Sequence, residues 1–214
     1  MNRTALTAAV PNKKNSMYPP AGAPALPAVL TQLRAATASH HAALEAQLQL
    51  TQPLSLARYT RVLQGFDTFL SAWEPLVESH LPTAMRPWFE EGRRGRHARA
   101  DLHALGAEVP PPIELGLDLP DTSAALGSMY VIEGSALGAQ VIAPTLHDRL
   151  GLDAHNGAAY FALPAANAAR RWRQFRELLA LHAPHAAHAT RAATDTFDAL
   201  AAVFRESALE RADA

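Results

Sequence analysis

Apolar residues recur at three- and four-residue spacing along most of this chain, and the stretches before the last end at or near helix-breaking residues, while the last has no sharp stop signal. The first runs from Leu30 to Leu50 and stops before Thr51-Gln52-Pro53. The second, Leu54 to about Leu81, carries Leu56, Tyr59, Leu63, Phe66, Phe69, Leu70, Trp73 and Leu76 as one stripe, with Pro75 a candidate kink. Arg86 to Gly106 reads as a basic helical stretch interrupted by Gly92 and Gly95, and Val109-Pro-Pro-Pro112 opens a linker to Pro120. Asp121 or Thr122 can cap a long helix through Tyr130 to about Leu150, with a kink expected at Pro144. Two more helices are expected near Pro164–His182 and Pro184–Glu210. No segment alternates with the period of a strand, and there is no internal repeat. The pattern predicts one all-α domain over residues 28–210, a disordered leader over 1–27 and a tail over 211–214.

Composition narrows the chemistry. The 214 residues are 49% hydrophobic, with Ala and Leu dominant, which favours helix. A net charge of −1 gives no basic field for nucleic acid or an anionic membrane. With no Cys, disulfides, Cys-ligated zinc, iron–sulfur clusters and thiol nucleophiles are excluded, and a cytoplasmic location is expected. No apolar run is long enough to span a bilayer. Met1 to Pro27 lacks the apolar core of a signal peptide.

Two constellations stand out. In Leu33-Arg-Ala-Ala-Thr37-Ala-Ser-His40-His41-Ala-Ala-Leu44-Glu45, a helical wheel puts Leu30, Leu33, Thr37, Leu44 and Leu48 on one face, flanked about equally by His40 and His41. Glu45 lies four residues after His41, within side-chain reach, whereas Leu44 occupies that place for His40. A metal-ligating imidazole needs its second nitrogen held by an acceptor, which favours His41. A partly buried His beside a solvated one fits the same residues. A lone His with no second protein ligand nearby suits heme, whose porphyrin supplies the in-plane ligands.

The second constellation is Leu126-Gly-Ser-Met-Tyr130-Val-Ile-Glu133-Gly134-Ser135-Ala136-Leu137-Gly138-Ala139. Gly134 and Gly138 are four apart, with Gly127 seven residues earlier on nearly the same face. Each helical glycine costs about 1 kcal/mol relative to alanine, so something is expected to approach this backbone closely. Either a crossing helix or a flat ligand would do so.

Together these segments resemble the heme oxygenase family, its bacterial members above all. Leu33-x-x-x-Thr37-x-x-x-His41-x-x-x-Glu45 is similar to the proximal-helix motif, and Tyr130-Val-Ile-Glu-Gly-Ser-Ala-Leu-Gly-Ala139 to the distal helix. The latter most resembles the enzymes that supply biliverdin to bacterial phytochromes. Tyr160-Phe161-x-x-Pro164 with Arg171-Trp172-Arg173-Gln174-Phe175 resembles the segment whose basic residues meet the heme propionates, and Phe197 and Phe204 match family aromatics near the pocket. The resemblance covers Leu30 to Glu206.

The resemblance implies a helical bundle holding heme between a proximal and a kinked distal helix. It makes His41 the axial iron ligand and Glu45 its supporting acceptor, while Gly134, Ser135 and Gly138 line the distal side. Arg34, Tyr130, Arg173 and Arg176 would anchor propionates. The implied activity is O₂-dependent opening of heme to biliverdin with release of CO and ferrous iron. Electrons would come from an external donor such as a ferredoxin or a reductase, and a phytochrome would be a possible client. Three positions depart from mammalian members: Ser135 replaces the distal Asp, Ala139 the second glycine of a pair, and Glu177 a basic residue one turn after Arg173.

Other readings fare differently. A di-iron oxidase needs Glu-x-x-His pairs, which are absent, and a thiaminase-like activity needs a Cys nucleophile. A non-enzymatic heme carrier or sensor on the same fold remains the alternative. His182, His185 and His188 are a candidate metal cluster or a solvated face. Arg93, Arg94, Arg96 and Arg99 read as a solvated basic run, or as a docking patch for an acidic electron donor.

Overall fold

The computed structural model describes residues 28–50, 52 and 54–209, so the expected leader (1–27) and tail (211–214) lie outside the described residues. Seven α-helices are described: α1 Ala28–Leu48, α2 Leu56–Ser79, α3 Arg86–Glu91, α4 Gly95–Ala104, α5 Thr122–Leu150, α6 Ala159–His182 and α7 Ala186–Leu209. A short 3-10 turn, Thr83–Met85, precedes α3. No strand occurs among the described residues.

Local chemistry sets the ends of these helices. Ser55 caps α2 by accepting from the Arg58 N–H at 3.2 Å. Asp121, rather than Thr122, caps α5, accepting from the Ala124 N–H at 2.9 Å. Gly151, in the left-handed region with φ 66°, closes that helix. Both α2 and α5 continue through their prolines, Pro75 and Pro144.

The start of α6 corrects the expectation: it begins at Ala159, with Pro164 inside the helix. The reason lies on α4. The buried Asp101 carboxylate accepts the N–H groups of Ala159 and Tyr160 at 2.9 and 2.8 Å, acting as a cap from 58 positions away. Burial raises the Asp101 pKa, although those two N–H donors pull it down.

The α2 stripe is buried at Tyr59, Leu63, Phe66, Phe69, Leu70 and Trp73, and Val62 and Val77 join it. Leu56 is outside it, 48% exposed on the first turn. The long helix α5 packs on α6 and α7, α1 lies against α7, and α2 packs on α4 and α7. Trp73 Nε1 donates to Ser128 Oγ at 2.8 Å and Ser128 pairs with Thr196 at 2.7 Å, so the α2–α5–α7 contact has a satisfied polar centre.

Gly127 sits at the α5–α7 crossing, where a Cβ would collide with the backbone of Ala189. Gly127→Ala should therefore destabilise the fold, because overpacking of about 1–3 kcal/mol outweighs the gain of up to about 1 kcal/mol from removing a helical glycine. Urea denaturation of the full chain checks this; an unchanged or raised midpoint would show that the crossing has slack.

Candidate functional site

The first half of the site lies on α1. Thr37 is buried, its hydroxyl donating to Leu33 O at 2.8 Å. Thr37 and Arg34 both lie near enough to the Tyr130 hydroxyl of α5 to favour its phenolate. Burial raises the Tyr130 pKa, while Thr37 and Arg34 oppose that rise. Three residues singled out in the sequence, Arg34, Thr37 and Tyr130, are thus brought together across the two helices.

One turn further along α1, the two histidines differ. His41 Nδ1 lies 3.5 Å from Glu45, and its side chain is 48% exposed, which leaves Nε2 available as a ligand atom. His40 turns Nε2 toward Asp198 of α7 at 3.7 Å, and its Nδ1 is buried without a hydrogen-bond partner. Phe197 lies beside both rings, with centroids at 6.3 Å from His40 and 6.1 Å from His41. Phe204 serves another purpose: it packs edge-on against Phe66 and fills the space beside Gly65.

The second half is the middle of α5. The three glycines that share a helical face there separate in space. Gly127 is a helix crossing, but a Cβ at Gly138 would meet nothing within 4 Å, and one at Gly134 would touch only Trp172, at 3.8 Å. Trp172 of α6 also packs on Tyr130, centroids 5.8 Å apart. Ala139, at the position of the departure from mammalian members, is fully buried on the other side. Gly134 therefore faces Trp172 of α6, whereas the backbone at Gly138 is left uncovered by any neighbouring helix.

Buried arginines hold this stretch from behind. Arg94 is only 6% exposed; its Nη2 donates to Ile132 O at 2.6 Å and to Ser135 Oγ at 2.7 Å. Ser135 in turn donates to Ile132 O at 2.9 Å, so its hydroxyl proton is used within its own helix. The Arg94 guanidinium also lies over the Tyr160 ring at 5.3 Å. Burial pushes the Tyr160 phenol up to about 12. Glu74 accepts the Arg94 and Gly95 N–H groups at 2.8 and 2.9 Å, which fixes the corner from which Arg94 reaches α5. Burial raises the Glu74 pKa against the pull of those donors and of Arg93. One residue before Gly134, Glu133 is gripped by Arg171 through two bonds of 2.8 and 2.7 Å.

These contacts correct the solvated reading of the basic run. Arg94 is buried, Arg93 contacts Glu74, Glu78 and Glu90, and Arg99 is paired with Asp67; Arg96, 54% exposed, is the most open of the four. As a free cationic docking patch the run does not survive. Arg171, placed by sequence within the basic propionate segment, is spent on Glu133 and on the Trp88 ring, 3.7 Å away. Arg34, Arg173 and Arg176 keep no ion-pair partner among the described residues, and Arg176 Nε is buried without a hydrogen-bond acceptor. Sequence reasoning missed Arg94 because a lone buried arginine inside a run of four carries no periodic signal.

The domain is all-helical, with an accessible histidine on one helix and an uncovered glycine, Gly138, on another. Comparison with known proteins specifies it further. The heme oxygenase family model matches residues 28–206, and the chain belongs to the heme oxygenase family. It is similar to a heme oxygenase of Xanthomonas campestris pv. campestris (strain 8004), 39% identical over 98 residues; that match takes in 44% of this chain and spans about half, 52%, of the relative. It is also similar to the Neisseria meningitidis heme oxygenase solved with NO and CO bound, with a TM-score of 0.72 at 26% identity, covering 84% of this chain and 91% of that one.

Replacing Arg171 with Ala should cost about 3–5 kcal/mol, because it strands the buried Glu133 carboxylate. Adding Glu133→Gln to that variant should recover part of the loss. Thermal melts of both variants check the pair; equal stability of Arg171→Ala and the unsubstituted chain would show that the pair carries no weight.

Proposed function

We propose that this chain is a heme oxygenase in the catalytic sense: it binds heme between α1 and α5 and opens it with O₂ to biliverdin, releasing CO and ferrous iron. The observation that carries the reading is the open surface of α5 at Gly134 and Gly138, where even a Cβ at Gly138 finds no neighbour within 4 Å. A flat macrocycle needs such a backbone, and a helix that bore larger residues there would exclude it.

The residues fit the group. His41 would hold the heme iron, because Glu45 lies 3.5 Å from its Nδ1 and leaves Nε2 available. Arg34, Arg173 and Arg176 would take the propionates, with the Tyr130 hydroxyl as a further donor; the buried Arg176 Nε has no acceptor of its own. Gly134 and Gly138 leave room on the distal side. Ser135, its proton already donated to Ile132 O and one lone pair taken by Arg94, keeps a lone pair with which to orient a water rather than a proton to give.

Bound heme supplies the oxygen activation, and the protein binds, orients and shields it. Electrons come from an external donor, a ferredoxin or a reductase. The distal run Tyr130–Ala139, with Ser135 and Ala139, supports the biliverdin-supplying type and a phytochrome as the client.

Hemin added to the full chain, followed by ascorbate under air, should lose its Soret band as biliverdin absorption grows. His41→Ala should abolish normal axial ligation and turnover, whereas His40→Ala should leave both nearly intact. A stable Soret band in the unsubstituted chain would make the protein a heme carrier, and unchanged His41→Ala spectra and activity would move the ligand elsewhere.

A further inference from the structure

A second group of chemistry-bearing side chains lies at the other end of α5. Asp121, the α5 cap, uses Oδ1 for the Ala124 N–H. Its Oδ2 faces two imidazoles, with His188 Nδ1 at 2.8 Å and His185 Nδ1 at 3.5 Å. His185 immediately precedes α7 and His188 lies on its first turn, with the ring centroids 5.3 Å apart. One ligand atom from each of the three residues falls within 4.8 Å of the others. His182, grouped with these histidines by sequence, is not part of the cluster.

The backbone around the group is fixed. The His185 N–H donates to Ser123 Oγ at 3.2 Å, and one turn further on Gly127 meets Ala189 at the helix crossing. The side chains are accessible, 58% exposed for His185, 48% for His188 and 31% for Asp121. Hydrogen bonding alone uses the arrangement poorly, since at 3.5 Å His185 is too far from Oδ2 for a good bond. A tetrahedral ion with bonds of about 2.0–2.2 Å sets its donors about 3.4 Å apart, which small side-chain rotations reach here.

We propose that Asp121, His185 and His188 form a binding site for a divalent cation of the zinc type, with water at the fourth position. Two imidazoles and one carboxylate, with no thiolate, suit a borderline cation. The bound ion ties the first turn of α5 to the first turn of α7. The positive ends of both helices lie nearby and a single carboxylate offsets them, so the affinity belongs in the micromolar rather than the nanomolar range.

Zinc chloride titrated by calorimetry into the EDTA-stripped, tag-free full chain at neutral pH tests this. The unsubstituted chain should bind one more zinc equivalent than the His185→Ala/His188→Ala double variant, and only the former should gain thermal stability from zinc. Both histidines are exposed, so the zinc-free variant should melt as the unsubstituted chain does. Asp121→Asn keeps a good α5 cap but removes the charge, and should weaken zinc binding by about tenfold or more. Cobalt should show tetrahedral-type visible bands that the double variant lacks. Equal zinc stoichiometry and equal thermal response in the unsubstituted and double-variant chains would overturn the site.

Discussion

A helix with two glycines one turn apart gains little packing from its own side chains there, and the surrounding structure is arranged around how α5 is held instead. Gly134 and Gly138 each sacrifice about 1 kcal/mol of helix propensity and contribute no packing. The stabilisation comes from groups on the far side. Arg94 reaches Ile132 O and Ser135, Arg171 grips Glu133, and Ala136 and Ala139 are buried between them. At the N-terminal end, Gly127 admits α7 to contact distance and Ser128 bonds both Trp73 and Thr196. The same residue type thus does opposite things within one helix: at Gly127 it is filled by a neighbour, and at Gly138 it is left open.

Arg93, Arg94, Arg99 and Arg171 are committed to carboxylates, carbonyls or rings inside the fold. Arg34, Arg173 and Arg176 have no ion-pair partner among the described residues. Charge pairing therefore fixes α5 at Ile132–Ser135, through Arg94 and Arg171. A buried pair of this kind contributes little net stability but fixes geometry, because breaking it leaves an unpaired charge in the interior.

The helices were legible from apolar spacing because each buries one stripe, and the α5 cap was narrowed to Asp121 or Thr122, whereas the α2 cap at Ser55 was not singled out. The start of α6 was not legible, since the group that caps it, Asp101, comes from α4 and leaves no trace in the local sequence. His41 could be preferred over His40 from Glu45 alone, and the structure adds that His40 is turned to Asp198. The role of each glycine could not be read, because the helical wheel shows which face a residue occupies but not whether another helix covers it. Arg94 was hidden for a related reason: burial depends on the Glu74 corner, twenty positions away, and four arginines within seven residues look like a solvated face. Asp121 and the two histidines escaped grouping because a helix cap and the next-but-one helix meet only in three dimensions.

The central claim, that the open stretch of α5 is the seat of heme, is tested most directly by Gly138→Leu measured twice on one preparation. No neighbouring atom lies within 4 Å of a Cβ at Gly138, so the heme-free protein should melt at or above the unsubstituted chain, with a gain of up to about 1 kcal/mol from helix propensity. The same variant should show altered heme ligation and little oxygen-dependent heme loss, because the side chain occupies the space the ring needs. A destabilised heme-free protein with normal heme turnover per folded molecule would contradict the account.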